Sequence, residues 1–381
     1  MRTRTRLAAG LSMFLALAGA VKADAAATVK VPGSVHHAKI WIPEYYGGAV
    51  YVQTFDYTVT PAKFTQKVIN LAPRQCNPNS VTINGNNLYV ICNSDFGGKD
   101  QILVYNATSY AYVKTITGVG QDNKQYFTGS SLIGSAFDSH GNLWVSGYAG
   151  NDLLRIPAAQ LTAAKPHVDR QVVDSPDSPA GMTFAADGSM WVVGQFAEGI
   201  VLNFPDSVLN QTGTFLGASA LNPSPSYCIS DAAGAGCQNV AGLFNAPEGV
   251  AVFDGSIWVS NNGGNAPTGA IVRLQTKSGG QVAASTYGGT VGTPFSCPGG
   301  MFTAIRSTAQ TLWINDEGYG IANTDCGASS KDQGDQLGRV LEFVPGGLLN
   351  HKTAPVPSTF TNSTTLKTAS PGFGGIFVQL D

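Results

Sequence analysis

One pattern of apolar and polar residues recurs along the chain, and it is clearest in PEGVAVFDGSIWVS at residues 247–260. The VAVF segment is almost wholly apolar, which is typical of a strand buried on both faces. Asp254-Gly255 supplies a two-residue hairpin turn, and IWV predicts a returning antiparallel strand. Trp258 is expected to contribute a large buried side chain to that strand. The stretch therefore predicts a turn, a strand, a tight turn and a second strand.

Five other stretches carry versions of this pattern, each with an aromatic residue at the place of Trp258. The aromatic residues are spaced by 48, 55, 47, 67 and 55 residues. A third apolar strand follows each pair, and a weaker fourth strand follows in several repeats. Repeats of this length that are built from strands indicate propeller blades. Six repeats of four strands predict an all-β fold, a six-bladed β-propeller. The aromatic residues are Trp41, Tyr89, Trp144, Trp191, Trp258 and Trp313.

The two ends of the chain are expected to complete one blade together. The first repeat lacks its opening strand, and PGFGGIFVQL at residues 371–380 has the pattern of that missing strand. Pairing it with residues 38–43 would close the ring and leave no open sheet edge. Because the repeats span the mature chain, we expect residues 26–381 to form a single domain.

The repeat resembles a known family of sequences. It consists of Pro-x-Gly followed by Val or Met, then Asp-Gly, then an aliphatic residue or Met before Trp. This pattern is similar to the NHL repeat and to its six-bladed relatives, the SMP-30/gluconolactonase-like proteins and the streptogramin lyases. The resemblance covers nearly all of the mature chain and implies the same fold. It does not by itself imply one function, since these propellers host hydrolases, lyases and binding modules.

The N-terminus has the pattern of a secretory signal peptide. A basic segment, MRTRTR, precedes the apolar run LAAGLSMFLALAGA, and small residues follow it. We therefore predict that residues 1–25 are a signal peptide and that the mature protein is secreted or periplasmic. A membrane anchor is the alternative, but the apolar run is shorter than the ~18 residues that a membrane span requires.

Composition narrows the possible partners. Charged residues make up 12% of the chain and the formal net charge is −2, which argues against a nucleic-acid or anionic-membrane surface as partner. No later segment is long and apolar enough to predict a membrane span. We expect a monomer whose partner is a small molecule or another protein.

Six cysteines in an exported chain predict three disulfides. Two cysteine pairs each join the start of a repeat's first strand to the end of its second, and a third pair lies within the long insertion at 219–243. Thiolate ligands of a metal are the alternative, but the chain has no CxxC spacing and no adjacent histidine cluster. The predicted pairs are Cys76–Cys92, Cys228–Cys237 and Cys297–Cys326.

The repeat also predicts which residues share a face. The turn before each first strand and the loop after each second strand should lie at one end of the central channel, here called the mouth. The hairpin turns should lie at the other end, here called the hairpin end. All three disulfides are expected at the mouth, together with carboxylates and amides but hardly any cations. The five histidines lie elsewhere, which disfavours zinc, whereas oxygen donors suit Ca²⁺. The mouth set is Glu44, Asn79, Asn93, Asp95, Asp100, Glu248, Asn261, Asn262, Asn265, Asp316, Glu317 and Asp325.

Within this set, Glu248 and Asn79 are the predicted metal ligands. SMP-30-like lactonases hold a divalent metal at the channel mouth with Glu, Asn, Asn and Asp from different blades, and the resemblance implies two of those positions here, in Pro78-Asn79-Ser80 and Pro247-Glu248-Gly249. Asp316 or Glu317 would complete the site, as ligand or as catalytic base. The alternative for these polar residues is ordinary turn chemistry, in which Asn and Asp bond nearby backbone.

Two functions therefore stand. The first is an NHL-like binding or interaction module that presents disulfide-tied loops on the mouth face. The second is a Ca²⁺-dependent hydrolase or lactonase with its site at the channel mouth. The chain has no GxSxG motif and no mouth histidine, so an enzyme with a serine nucleophile and a lyase are both less favoured than a metal-dependent hydrolase.

Overall fold

The computed structural model of the chain describes most of the repeats and leaves the N-terminus outside. The predicted signal peptide, Glu317, Cys297 and Cys326 lie outside the described residues. Those described are 37–45, 48–56, 58–59, 63–173, 177–195, 199–211, 217–221, 227–230, 237–239, 243–244, 246–262, 269–276, 282–288, 298–306, 309–316, 339–343, 359–361 and 375–380.

Six sheets, all within the described residues, form the blades of a β-propeller. Blade 1 contains β1 (His37–Glu44), β2 (Ala49–Asp56), β3 (Lys63–Asn70) and β26 (Phe377–Leu380). Blade 2 contains β4 (Asn77–Asn84), β5 (Asn87–Asn93), β6 (Gln101–Asn106) and β7 (Tyr112–Ile116). Blade 3 contains β8 (Leu132–Phe137), β9 (Leu143–Gly147), β10 (Asp152–Ile156), β11 (Arg170–Val173) and β15 (Ser219–Leu221).

The other three blades follow in chain order. Blade 4 contains β12 (Pro179–Phe184), β13 (Met190–Gly194), β14 (Ile200–Phe204), β16 (Tyr227–Ser230) and β17 (Gln238–Asn239). Blade 5 contains β18 (Pro247–Phe253), β19 (Ser256–Asn261), β20 (Ala270–Thr276) and β21 (Val282–Gly288). Blade 6 contains β22 (Pro298–Arg306), β23 (Ala309–Asp316), β24 (Arg339–Phe343) and β25 (Thr359–Thr361). The described residues also form the short helices α1 (Ala158–Leu161) and α2 (Asp206–Leu209) and the 3₁₀ turns Ala72–Arg74 and Asp95–Gly97.

The ring closes as the sequence predicted. The C-terminal strand β26 pairs antiparallel with β1, so that Phe377 lies opposite Trp41 and Leu380 opposite Ala38. The rings of Trp41 and Phe377 meet edge-on with their centroids 5.8 Å apart. The first strands of successive blades contact one another around the channel, and β26 completes this inner circle between β22 and β4. The head and tail of the chain therefore share blade 1.

The repeated aromatic residues belong to the core, as predicted. All six are buried, and they pack between neighbouring blades: Trp258 of blade 5 joins a cluster that contains Leu312 and Phe343 of blade 6. Because each blade buries both of its faces against its neighbours, the strands need apolar residues on both sides. This explains why VAVF shows so little alternation.

The hairpin turn of the fifth repeat is also confirmed. Phe253 lies opposite Ser256, so Asp254 and Gly255 alone form the loop. Their φ angles are 49° and 65°, and two successive positive φ angles define the type I′ turn that Asp-Gly favours. The turn that the sequence predicted at the hairpin end of blade 5 is therefore present in the structure.

The insertion between repeats four and five differs from expectation. It adds β15 to the outer edge of blade 3, parallel to β11, and provides the outer strands β16 and β17 of blade 4. Cys228 and Cys237 form the predicted disulfide, but Cys228 pairs with Leu202 in the middle of β14. The expectation that this disulfide lies at the mouth is therefore wrong, because the insertion forms strands at the blade edge rather than a loop.

The Cys76–Cys92 disulfide is confirmed at the mouth of blade 2. Cys76 directly precedes β4, and Cys92 pairs with Pro78 near the end of β5. The two α-carbons lie 5.0 Å apart, which is within the ordinary range for a disulfide. This bond ties the entry of the first strand to the exit of the second.

A β-bulge interrupts the first strand at the mouth end in blades 2 to 6. In blade 5, Pro247 pairs with Asn261 and Val250 with Val259, so Glu248 and Gly249 together face Ser260. Such bulges bend a strand and change the direction of a side chain. Aligned on the hairpins, the first bulged residues occupy what we call the bulge position: Asn79, Ile133, Ala180, Glu248 and Gly299.

Candidate functional site

The mouth is built from two recurring positions. One is the bulge position, which is present in blades 2 to 6. The other, here called the exit position, is the fourth residue after the repeated aromatic residue, at or just past the end of the second strand. In blade 5 the aromatic residue is Trp258 and the exit position is Asn262. In blades 1 to 5 the exit residues all carry a hydroxyl or amide group: Tyr45, Asn93, Tyr148, Gln195 and Asn262.

Backbone contacts narrow the channel at the level of the bulges. A Cβ atom at Gly181 would lie 2.5 Å from the Glu248 carbonyl oxygen, and one at Gly249 would lie 2.5 Å from the Gly299 carbonyl oxygen. On the other side of the ring, the Val81 amide donates to the Gly375 carbonyl over 3.3 Å. Neighbouring first strands thus meet with no side chain between them. Side chains at the bulge position are consequently withdrawn from solvent.

Glu248 is a buried acid with a strongly raised pKa. It is only 2% exposed, and its Oε1 atom accepts a hydrogen bond from Gln195 Nε2 over 2.5 Å. The Oε2 atom is buried and has no hydrogen-bond partner. Burial raises the pKa of Glu248 to about 8, against smaller opposing effects of Asn262 and Gln195. The Asn262 Nδ2 atom is likewise buried without a hydrogen-bond partner, so one acceptor of Glu248 is left unsatisfied.

The pKa of Tyr148 shows that the nearby charges at the mouth are negative. Its pKa is raised, first by burial and then by the negative charges of Glu248, Asp95 and Asp177. The charges that raise this pKa belong to acids of blades 2 and 5 and of the segment before blade 4. Asp95 and Asp177 give the mouth a negative potential, to which Glu248 adds when it is ionised, and this potential favours cations over anions.

Asp95 connects three blades. Its Oδ2 atom accepts a hydrogen bond from the Tyr45 hydroxyl over 3.0 Å, and its Oδ1 atom accepts one from Ser131 Oγ over 3.2 Å. The Asp95 amide donates to Asn93 Oδ1 over 2.6 Å. These bonds fix the loop after β5 and hold the Tyr45 ring beside the carboxylate.

Asn79 is buried on the opposite side of the channel from Glu248, three blades away. It is 1% exposed, and its Nδ2 atom donates to the Leu132 carbonyl of blade 3 over 3.3 Å. Its Oδ1 atom is buried and has no hydrogen-bond partner. The two predicted metal ligands thus share one structural position, and each has one buried oxygen without a partner. Oxygen donors of this kind fit the chemistry of a hard cation such as Ca²⁺.

Of the two predicted catalytic residues, the structure describes Asp316 but not Glu317. Asp316 is fully buried at the end of β23 in blade 6, next to the blade that carries Glu248, and Glu44 is buried at the same place in blade 1. Across the described ranges, no group of three or more His, Cys, Asp or Glu side chains is arranged to hold a metal. A metal here would therefore depend on amide oxygens as well.

Other members of the predicted mouth set have structural roles. Asp100 accepts hydrogen bonds from the amides of Ser94, Gly129 and Leu132, and the Asn261 side chain donates to the Leu243 carbonyl over 3.0 Å. Both residues stabilise loops at the mouth, as the alternative from turn chemistry proposed.

The sequence analysis missed Gln195 and Tyr148. Neither residue belongs to a recognised motif, and both follow a glycine at the end of a second strand. Their position in the repeat could have identified them, because Tyr45, Asn93 and Asn262 occupy the same exit position in other blades. A comparison of the repeats at that one place would have identified both residues.

Comparison with known proteins supports the fold alone. No family model matches the chain, and no curated protein sequence matches it either. Among solved structures, a Bacteroides caccae protein of unknown function aligns with a TM-score of 0.53 and 11% identity, covering 91% of this chain and 99% of that one. Virginiamycin B lyase from Staphylococcus aureus aligns with a TM-score of 0.45 and 13% identity, covering 88% and 86%.

A third similar structure is the PQQ-bound aldose sugar dehydrogenase from Streptomyces coelicolor, with a TM-score of 0.45, 14% identity and coverage of 83% and 97%. These identities are too low for a statement about activity. The chain is a six-bladed β-propeller with a narrow, acidic mouth and two disulfides among its described residues. Those residues include no helix that is long and apolar enough to cross a membrane.

Proposed function

We propose that the protein is an exported binding module that holds a positively charged amine, on a small molecule or a protein side chain, at the channel mouth. The observation that carries this proposal is the Glu248 carboxyl, which is buried while its Oε2 atom has no hydrogen-bond partner. A buried acceptor without a donor is costly. An ammonium group supplies both the missing donor and the opposite charge.

The surroundings of Glu248 support a cationic ligand. Asp95 and Asp177 add negative charge at Tyr148, so an anionic ligand would be repelled. The rings of Tyr45 and Tyr148 stand at exit positions, and aromatic faces attract cations by roughly 0.5–2 kcal/mol. Two disulfides and the predicted signal peptide support export to an oxidising compartment.

The raised pKa of Glu248 gives this binding a pH dependence. With a pKa of about 8, the free protein holds this carboxyl protonated at neutral pH. A bound ammonium favours the carboxylate, so binding releases one proton. The affinity should therefore rise by up to about tenfold per pH unit between pH 6 and 8 and level off above pH 8, as long as the amine stays protonated.

Benzylamine and benzyl alcohol form a matched pair of probes for this proposal. Ligand-observed NMR should detect benzylamine binding at least about tenfold tighter than the uncharged alcohol. Glu248→Gln should reduce benzylamine binding to the level of the alcohol. The control is Asp187→Asn, which removes one negative charge from the hairpin end of blade 4 and should change nothing. Equal binding of the two probes, or full benzylamine affinity in Glu248→Gln, would refute the proposal.

A second proposal uses the same residues for catalysis. The buried oxygens without partners, Asn79 Oδ1 and Glu248 Oε2, together with the resemblance to SMP-30/gluconolactonase-like proteins, support a Ca²⁺-dependent hydrolase. Glu248 and Asn79 would hold the cation, and Asp316 or Glu317 would act as a further ligand or as the base that activates water. Bound Ca²⁺ would polarise a lactone or ester carbonyl.

Metal content and lactone turnover separate the two proposals. The second expects stoichiometric Ca²⁺ after dialysis against calcium, and hydrolysis of γ-butyrolactone that a chelator abolishes. Asn79→Ala should lose both, whereas Asp187→Asn should retain both. Absence of bound Ca²⁺ together with absence of chelator-sensitive hydrolysis would exclude the hydrolase and leave the amine-binding proposal untouched.

A further inference from the structure

A cavity occupies the channel on the hairpin side of the narrow mouth. Its volume is about 450 Å³, and its wall is formed by the first strands of all six blades. It reaches the hairpin end, where the rim includes Ile305 and Gln310 of blade 6. Ile305 is 61% exposed there. Pockets that hold small molecules range from roughly 300 to 1,000 Å³, so the cavity is large enough for one such ligand.

Among the described residues, the wall of this cavity carries no ionisable side chain, in contrast with the acidic mouth. It is formed by phenylalanine, methionine and aliphatic residues, with hydroxyl and amide groups from threonine, serine and glutamine. Transfer of a charged ligand into such surroundings would be unfavourable. The wall therefore selects an uncharged ligand. The lining phenylalanines and methionines are Phe137, Phe184, Phe302, Phe377, Met182 and Met301.

The aromatic wall is held in position before any ligand arrives. The rings of Phe302 and Phe377 pack at a tilt of 47° with their centroids 4.7 Å apart, and Phe377 also meets Trp41 in the core. Phe137 meets Tyr89 edge-on at 5.3 Å. Such preorganised rings bind other aromatic rings at a low entropic cost.

Polar groups on the wall could orient a ligand. Gln310 accepts a hydrogen bond from the Asp254 amide through Oε1 over 3.0 Å, so its amide nitrogen remains as a donor at the rim. Ser135 Oγ lies 3.1 Å from Ser80 Oγ, and Thr183 adds a further hydroxyl to the wall. A few polar groups within an apolar wall are typical of small-molecule sites.

We propose that this hairpin-end cavity is a second binding site, which takes an uncharged aromatic small molecule. It is distinct from the amine site, because none of its described lining residues occupies a bulge position. The protein would then bind ligands of opposite character at the two ends of one channel.

The probe for this proposal is N-phenyl-1-naphthylamine, a neutral aromatic dye that fluoresces in apolar surroundings. The full mature protein should give a saturable signal with one site and a Kd in the micromolar range. The matched charged probe is 8-anilino-1-naphthalenesulfonate, which adds a sulfonate to the same rings and should bind at least about tenfold more weakly.

Two cavity variants and one mouth variant locate the binding site. Ala136→Phe fills the cavity and should weaken dye binding at least about tenfold, while Glu248→Gln should leave it unchanged. If Ala136→Phe does not melt cooperatively, Phe184→Ala removes part of the aromatic wall and should weaken binding in the same way. Absence of a saturable signal, equal affinity for the sulfonate, or unchanged affinity in a folded cavity variant would overturn the proposal.

Discussion

Gln195 of blade 4 donates a hydrogen bond to Glu248 of blade 5 over 2.5 Å, so two neighbouring blades share one buried carboxyl at the mouth. This bond joins an exit position to a bulge position across a blade boundary. Burial still dominates the titration, because the pKa of Glu248 is raised to about 8 despite the bond. The stability of the propeller should therefore depend on the protonation of this one group.

The first prediction concerns stability against pH. The Glu248 pKa is about 8 in the folded protein and near 4.5 without burial, so between these values the unfolded chain releases a proton that the folded protein keeps. The Glu248 contribution to the free energy of unfolding should thus fall as pH rises from 4.5 to 8, by at most about 5 kcal/mol at roughly 1.4 kcal/mol per unit. Glu248→Gln should remove this slope.

Denaturant unfolding of the wild type and Glu248→Gln at pH 5, 7 and 9 measures that difference. Gln195→Ala provides a second comparison. Loss of the hydrogen-bond donor should raise the Glu248 pKa further, so the free energy of unfolding should continue to fall above pH 8. An identical pH dependence in the wild type and Glu248→Gln would contradict the assignment.

The second prediction concerns Asp152 in blade 3. It is 4% exposed, its Oδ1 atom has no hydrogen-bond partner, and burial raises its pKa to about 6 despite a bond from Gln171. Keeping this carboxylate charged above pH 6 destabilises the folded protein by up to about 3 kcal/mol. Asp152→Asn should therefore raise the melting temperature at pH 7.5 and change little at pH 4.

The control for Asp152→Asn is Asp254→Asn in the type I′ turn, where Asn is also favoured. It should change the free energy of unfolding by less than about 0.5 kcal/mol at either pH. A loss of stability in Asp152→Asn at pH 7.5 would show that the carboxylate makes a favourable interaction instead.

The third prediction separates the two disulfides. Cys76→Ala with Cys92→Ala opens a bond of sequence separation 16 and should lower the free energy of unfolding by roughly 3 kcal/mol. Cys228→Ala with Cys237→Ala opens a bond of sequence separation 9 and should lower the free energy of unfolding by less, because this disulfide closes a shorter loop.

The two double variants should also differ in ligand binding. Only loss of Cys76–Cys92 should weaken benzylamine binding, since Cys92 adjoins the mouth residue Asn93. Equal effects of both pairs on binding would be inconsistent with the placement of Cys228 at the blade edge.

The fourth prediction tests ring closure. Deletion of residues 376–381 removes β26, leaves β1 with an unpaired edge and uncovers the Trp41 ring. The truncated chain should aggregate in size-exclusion chromatography and lack a cooperative thermal transition. Gln379→Lys, an exposed position on the same strand, should behave as the wild type. A truncated monomer that melts near the wild-type temperature would argue against closure by this strand.

Much of the fold could be predicted because propeller blades are local units. Trp258 and the Asp254-Gly255 turn lie within one hairpin, and their burial and φ angles follow from a few neighbouring residues. The Cys76–Cys92 bond was also predictable, because both residues belong to one antiparallel pair. Cys228 was misplaced because its surroundings depend on pairing between the insertion and β14.

The candidate site was less predictable. Glu248 and Asn79 were found because they follow a proline in the repeat, but their burial and partners depend on neighbouring blades. Gln195 and Tyr148 were missed because nothing in their local sequence marks them. The β-bulges also escaped detection, although glycine is the second bulged residue in blades 3 to 6, at Gly134, Gly181, Gly249 and Gly300, and a glycine within a strand often marks a bulge.

The sequence alone determined the six repeats, their hairpins, the buried aromatic series and the strand that closes the ring, because each of these depends on alternation and turn chemistry within a short segment. Only the tertiary structure decided that Glu248 is buried beside Gln195, that backbone contacts narrow the mouth, and that a neutral aromatic cavity lies behind it. These features arise where different blades meet, and desolvation at such a boundary depends on atoms that are distant in the chain.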